Sequence, residues 1–406
     1  MNTPKKEIAP VYTRVAVSVD LGGSQNKIIV QIYPSGVPMV VAMEPEIADV
    51  GKNSITQLSE NCTWVGIGDE YYVLGALAKN TFAGTPALRD LKSHYALPKV
   101  AGLLWLACRQ LGLSKGVDAS VQLLLPPGEI SDGKDLGKKL ASALRKGIVT
   151  PTGKLKVKLH NFYVAPEGSG IMAYRSRGLG ALFGQKNIGM LMLGYRNASF
   201  FLSAKGNPTK AESTELGMNW LVQQFVERTA VGLLKDDLRI PLALVSASKG
   251  NLNALQSLSR KATSFEVESD LKLFNSVLPD VRDDYCRALI RWIRNIAVLD
   301  EVIICGGTAE FVRKELTEHF QKEDVPIVWN GGVQLPKQLD TQGLGDRITD
   351  VWTAHITYIK MLDHNFGYER KQNLVPDSYQ SQPVRNSTPP KEVWEKNGFL
   401  TMHPGV

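Results

Sequence analysis

From Arg14 to Val19 the apolar residues Val15, Val17 and Val19 alternate with Ala16 and Ser18, the period of a strand. The polar run Asp20-Leu21-Gly22-Gly23-Ser24-Gln25-Asn26 follows as a tight turn, and a second strand is predicted from Lys27 to Tyr33. Pro34-Ser35-Gly36 marks another turn and Val37 to Met43 a third strand, so the chain opens as a β-meander. Helical spacing then takes over. Pro98 to Leu113 carries Val100, Leu103, Leu104, Ala107 and Leu111 on one face, with Pro98 suited to the first turn. Val121 to Leu125 is a continuous apolar run closed by Pro126-Pro127, the pattern of a buried strand. Asp132 is placed to cap a helix with the stripe Leu136, Leu140 and Leu144. A strand from Leu155 to Ala165 ends at Pro166-Glu167-Gly168-Ser169-Gly170.

A second strand-turn-strand unit follows. Ile188 to Leu193 and Ala198 to Ser203 flank the turn Gly194-Tyr195-Arg196-Asn197. Landmarks are poor between Asn207 and Asp280. An amphipathic helix is predicted from Asp283 to Leu299, with Tyr285, Leu289, Ile293 and Ile296 on its apolar face. It leads into a strand from Glu301 to Cys305, the corner Gly306-Gly307, and a helix from Thr308 to about Gln321. Val351 to Leu362 reads as a last helix, with Trp352 and His355 as packing residues. Asp346, Arg347 and Asp350 near its start read as an ion-pair group tying the chain back to its first half, with no chemistry assigned. The first nine residues read as a loose arm. Residues 371–406, rich in Pro, Ser, Asn and Gln, have too few apolar groups to order themselves and are expected to form a flexible tail. Two similar strand-turn-strand units, each followed by helices, predict a pseudo-duplicated α/β protein. No repeat of fixed period is visible, which excludes a solenoid.

Composition agrees with two ordinary globular domains. The chain has 406 residues, 43% hydrophobic and 21% charged. No apolar run reaches the ~18 residues of a membrane-crossing helix, and the polar start Met1 to Glu7 has no apolar stretch behind it. Cytoplasmic location and no membrane contact are the resulting expectations. The net charge of +7 is spread along the chain apart from Lys154, Lys156 and Lys158, so no concentrated basic face for nucleic acid is indicated. Cys62, Cys108, Cys286 and Cys305 form no C-x-x-C pair and no zinc spacing, and Cys108 and Cys305 sit in apolar contexts expected to be buried.

The strongest chemical signal is the first turn. Gly22 and Gly23 let backbone N–H groups approach an anion, Ser24 follows them, and Lys27 returns on the next strand as a point charge for a phosphate. Asp20 at the strand end can hold a hydrated magnesium ion. The alternative is an ordinary hairpin with a Gly-Gly corner. This stretch resembles the first phosphate loop of the actin, sugar kinase and DnaK-type chaperone superfamily: apolar strand, Asp-x-Gly, small polar residues, then Lys. Pro166-Glu167 resembles the connecting segment of ParM/StbA-type plasmid-segregation actins, and Val121 to Pro126 resembles their strand ending in Leu-Pro. Leu193-Gly194-Tyr195-Arg196 falls where the second phosphate loop belongs. Val302 to Thr308 resembles the adenosine motif, whose Gly306 and Gly307 would let adenine and ribose lie against backbone.

The resemblance spans roughly residues 14 to 365. It implies an α/β actin-like fold of two RNase H-like domains flanking a nucleotide cleft. The first domain would be 10–165, completed by the late helix at about 346–365, and the second 166–345. It further implies ATP, with GTP also open, and magnesium on Asp20. Asp20, Gly22, Gly23, Ser24, Lys27, Gly194, Tyr195, Arg196, Asn197, Gly306, Gly307 and Thr308 would contact the nucleotide, and Asp20 and Glu167 would be the catalytic carboxylates, Glu167 orienting or deprotonating the attacking water. The expected behaviour is assembly into filaments, with plasmid cargo reached through a separate DNA-binding adaptor and no direct nucleic-acid contact. One departure is plain: the second loop normally begins Asp-x-Gly, and here that place holds Met192, which offers no carboxylate to magnesium or water. Weakened magnesium binding or slow hydrolysis follows as an expectation, and with it a second reading, a nucleotide-sensing scaffold on the same fold. A small-molecule kinase would need an Asn-Asp pair that is not found. A Rossmann dehydrogenase is disfavoured because the glycines do not complete G-x-G-x-x-G and a strand follows them.

Overall fold

A computed structural model describes residues 12–370, apart from 56–60, 88–89, 114–115, 238 and 341, together with the backbone of Thr401–His403. Along the chain run β1 (Thr13–Gly22), β2 (Gln25–Ile32), β3 (Met39–Met43), β4 (Ile47–Val50), β5 (Cys62–Ile67), β6 (Glu70–Gly75), α1 (Ala76–Thr81) and α2 (Ala96–Gln110). Then come β7 (Val117–Leu125), α3 (Gly133–Lys146), β8 (Val149–Thr150), β9 (Gly153–Lys154), β10 (Val157–Pro166) and α4 (Ser169–Leu179). The second half holds β11 (Asn187–Leu193), β12 (Ala198–Ala204), β13 (Asn207–Thr214), α5 (Met218–Thr229), α6 (Arg239–Ser248), α7 (Ser264–Arg294), β14 (Glu301–Cys305), α8 (Arg313–Lys322) and β15 (Ile327–Trp329). Finally α9 (Thr349–Phe366) and β16 (Thr401–His403) are placed.

Two sheets share one plan. The first has the order β16-β10-β7-β1-β2-β3 and the second β13-β12-β11-β14-β15. In each, an antiparallel three-strand meander (β1-β2-β3, β11-β12-β13) is extended by two parallel strands on the far side of its first strand (β7 and β10, β14 and β15). Parallel neighbours need crossovers, and the helices supply them. A small sheet, β4-β6-β5-β8-β9, hangs from the first half.

The alternation read in the sequence sorts the side chains of β1. Val15, Val17 and Val19 enter a core with Val100, Leu103 and Leu104 of α2 and Leu136 and Leu140 of α3. The opposite face of that sheet is covered by α9, where Trp352 and Ile356 pack against Ile29 and Leu124, and Tyr358 against Ala16. In the second sheet Leu191 and Leu193 meet α5 and α7, while Ile188, Met190 and Met192 meet Ile171 and Met172 of α4. Helices α4 and α9 therefore lie against the facing sides of the two sheets. They cross at Gly170, where a Cβ would come within 2.3 Å of the Ala354 nitrogen.

Several expectations are corrected. The first turn is shorter than Asp20 to Asn26: β1 runs to Gly22 and β2 starts at Gln25, so the ladder carries Asp20 opposite Lys27. Asp132 does not cap α3 with its side chain, because its carboxylate accepts instead from the Ser93 hydroxyl at 2.8 Å. The helix placed at Asp283 starts at Ser264. Its start is fixed by Thr263 and Glu266: the Glu266 N–H bonds the Thr263 hydroxyl, which in turn donates to the Glu266 carboxylate at 2.6 Å. Pro279 lies inside it, tolerated because Phe274, Leu278, Val281 and Tyr285 are buried on the second core. Residues after Thr308 first make a 3-10 turn, Ala309–Val312, and α8 begins only at Arg313. Cys305 is buried as expected, whereas Cys108 is only partly so. Strands β4 to β6 have no counterpart in the sequence reading. The tail expected to be flexible lies outside the described residues, except that Thr401–His403 pairs antiparallel with Phe162–Val164 of β10.

Candidate functional site

Both meanders turn at the same end of their sheets. In the first, Gly22 faces Gln25, then Leu21 faces Asn26, then Asp20 faces Lys27. In the second, the Gly194 N–H bonds the Asn197 carbonyl, then Leu193 faces Ala198, then Met192 faces Ser199. Asp20 and Met192 thus occupy the same rung, two residues before a turn glycine.

Glycines make both turns possible. A Cβ on Gly22 would meet the Gln25 carbonyl oxygen at 2.7 Å, and one on Gly194 the Asn197 oxygen at 2.9 Å. The second turn rests on backbone. The Met218 N–H bonds the Gly194 carbonyl, the Asn219 N–H bonds the Tyr195 carbonyl, and Gly217 lies so close that a Cβ there would meet the Tyr195 oxygen at 2.5 Å. The corner after β14 packs onto the same turn. Gly306, at φ +98°, leaves no room for a side chain because the Leu193 oxygen would lie 2.4 Å from it. The Thr308 hydroxyl donates to the Gly194 carbonyl at 2.8 Å. Around Gly307 the space beyond its Cα is open. Glycine spacing in the sequence pointed to Gly306 and Gly307 but not to Gly217.

Charge gathers at the first turn. Lys27 reaches Asp20 Oδ2 at 2.7 Å and donates to the Arg347 carbonyl. The sequence reading did not include Lys92, whose ammonium lies 3.2 Å from Asp20 Oδ1 and also pairs with Glu167. Burial alone would raise the Asp20 carboxyl, but Lys27 and then Lys92 hold it well below the usual carboxylate range. Burial would likewise lower Lys92, but Glu167 and Asp20 push its ammonium above the ordinary lysine value. Glu167 is raised, by burial first, with Lys92 opposing. Arg347 also reaches the Ser24 hydroxyl at 3.2 Å. Asp350, read from sequence as part of an ion-pair group tying the chain back to its first half, forms no ion pair among the described residues and instead accepts the Gly168 N–H at 2.9 Å beside Glu167. Desolvation and the nearby Asp20 charge push its carboxyl up to about 8.

The second turn is tied to the first half of the chain. Arg196 donates to Glu129 at 2.6 Å and also to the Asp90 carbonyl. Glu129 is buried, and its second oxygen takes the Ser93 N–H at 3.1 Å. Lys92, Ser93 and Glu129 carry no sequence signal: they are ordinary polar residues in connecting segments, and only the fold brings them here.

Asp20, Gly22, Gly23, Ser24, Lys27 and Glu167 are therefore gathered at one turn. Arg196 of the second turn lines one cavity with Gly22 and Gly23, and Gly306 and Thr308 pack onto the second turn. Met192 is buried among Met190, Ile171, Phe201, Ile303 and Cys305. The donor set does not fit a preformed divalent-ion site. Both oxygens of Asp20 and one of Glu167 are held by ammonium groups, and the equivalent rung is a thioether. Among the described residues no group of three or more His, Cys, Asp or Glu could hold a metal. The backbone turns and cations do suit a polyphosphate.

No protein-family description and no curated protein sequence matches the chain. Solved structures do. A crystal structure of an archaeal actin homolog superposes with a TM-score of 0.55 at 14% identity, covering 85% of this chain and 99% of its own. Bacillus thuringiensis ParM with AMPPNP gives 0.54 at 15% identity over 86% of this chain and 99% of that one. A fifteen-stranded ParM filament from Clostridium botulinum gives 0.52 at 15% identity with the same coverages, 86% and 99%. At these identities the likeness is one of fold, and the chain has the actin-like fold its turns imply.

Proposed function

We propose, from an actin-like fold whose two meanders end in equivalent glycine turns, that this chain binds a nucleoside triphosphate in the cleft and assembles head to tail into filaments. The observation that carries the reading is the shared rung. Two meanders of the same topology each close on a glycine at the equivalent rung, and Arg196 of the second turn lines one cavity with Gly22 and Gly23 of the first. Residues 10–165 with the helix at 346–365 act as one domain and 166–345 as the other, hinged where α4 and α9 cross. ATP is the expected nucleotide, and GTP remains compatible because Gly306 and Gly307 would meet the base through backbone. The neighbours solved as a filament and with AMPPNP support both halves of the proposal. A plasmid reached through an adaptor is the cargo proposed, and location in the cytoplasm goes with it. Among the described residues no helix is long and apolar enough to cross a membrane.

Glu167 is the proposed water-orienting carboxylate. It is held by Lys92 in this structure, and Met192 withholds a second one. Both features favour slow turnover, so the second reading is a nucleotide-sensing scaffold that assembles without rapid hydrolysis. Light scattering with phosphate release, with and without ATP, separates the two. Scattering that rises and decays with phosphate supports a dynamic filament. Scattering that persists with little phosphate supports the scaffold. No scattering and no nucleotide binding overturns both.

A further inference from the structure

The cations around the first turn outnumber what its carboxylates need. Beside Gly22 and Gly23 lies a cavity of about 30 Å³, room for roughly two waters. Lys92, Tyr95, Lys99 and Arg196 also line it. Lys92 and Arg196 are engaged with Glu167, Asp20 and Glu129. Lys99 is different. It is 6% exposed, and its ammonium makes no hydrogen bond or ion pair with any described residue. Glu46 and Asp90 act on it only at a distance, and Glu46 is paired with Lys79. A buried ammonium without a partner among the described residues is costly, so folding alone does not explain why one faces this cavity.

We propose that Lys92, Lys99 and Arg196 form a pocket for the terminal phosphate of the nucleoside triphosphate, and that these side chains supply the positive charge there in place of a divalent metal. The inference rests on the nucleotide reading above and deepens it. A phosphoryl group reaching past Gly22 and Gly23 enters between the two turns, where Lys99 gives it an unshared ammonium. Arg196 reaches it from the second turn while retaining Glu129 with its other N–H groups, because a guanidinium has five donors. Lys92 lines the same cavity while paired with Asp20 and Glu167, so it would offer positive charge to an anion there. The thioether at Met192 is consistent with this arrangement, since no second carboxylate is needed to hold an ion that the lysine replaces. Burial, with Lys92 nearby, draws the Lys99 ammonium down to about 8, which leaves it charged at neutral pH.

Binding of a fluorescent methylanthraniloyl ATP to the full chain, in EDTA and in magnesium, tests this. Affinity within about threefold between the two conditions is expected, since charge-assisted bonds from side chains replace the metal. Lys99→Met should weaken triphosphate binding about tenfold, the equivalent of one charge-assisted hydrogen bond, and leave the AMP analogue unchanged. The same variant should melt at a higher temperature without ligand, which a lysine kept only for structure would not do. Binding that appears only with magnesium, or a Lys99→Met variant with unaltered triphosphate affinity, overturns the inference while leaving the nucleotide reading standing. No binding in either condition overturns the nucleotide reading and this inference with it. The comparison in EDTA uses the unaltered protein, so it holds even if the variant fails to fold.

Discussion

At Met192 and Asp350 single side chains decide what the cleft can do. Met192 stands on the rung of Asp20 yet sits in an apolar cluster with Met190, Ile171 and Cys305. Met192→Asp therefore places a carboxylate in that apolar cluster. A loss of about 2 kcal/mol is expected in denaturant unfolding without metal, partly recovered when magnesium is added. An unchanged midpoint would show that this rung opens to water. Asp350 titrates in the other direction from Asp20. Its carboxyl ionises at about 8 in the folded chain, against an ordinary 3.8, with Asp20, Glu167 and Lys27 facing it and the Gly168 N–H bonded to it. Between those values the unfolded chain holds fewer protons than the folded one, so this group makes stability fall as pH rises from 3.8 towards 8 and changes nothing further above. Asp350→Asn keeps an acceptor for Gly168 and should flatten that fall in pH-dependent denaturation. A variant with the wild-type slope would contradict the assignment.

Elements meet where backbone must approach backbone. Helices α4 and α9 cross at Gly170, and the corner at Gly306 touches the end of β11. Adding a methyl group at Gly170 places it 2.3 Å from the Ala354 nitrogen, which is backbone and cannot rotate away. Gly170→Ala should thus lower stability by roughly 1–3 kcal/mol, the usual cost of overpacking. Calorimetry would read it as a lower melting temperature, and an unshifted transition would mean the helices can separate freely. These contacts were half legible. Pro166-Glu167-Gly168-Ser169-Gly170 announced a connecting segment, but nothing in it named Ala354 as the partner 184 residues away in the chain, counting from Gly170.

Over the whole molecule, the two halves are joined by the α4–α9 crossing and by the Arg196–Glu129 pair. The pair is largely buried, so its loss should be felt on both sides of the contact rather than on one. Glu129→Gln is expected to raise hydrogen exchange of backbone amides in 90–96 and in 194–197 together, while the cores under α2 and α7 stay protected. Faster exchange confined to one segment would show that the pair does not couple the halves.

The sequence by itself determined the two meanders, their turns and the glycine corners, because alternation and glycine placement are local signals set by side-chain geometry. It showed Asp20, Lys27 and Glu167 as charged residues at strand ends, and Met192 as a departure from the pattern. Tertiary structure alone decided what those charges meet. Lys92, Lys99 and Glu129 lie on connecting segments or at the start of a helix, where any polar residue would satisfy local preference. They acquire a role only when sheet order and helix packing bring them within hydrogen-bond distance of the turns or into one cavity beside them, since electrostatic partnership depends on separation in space and on exclusion of water, neither of which is written along the chain.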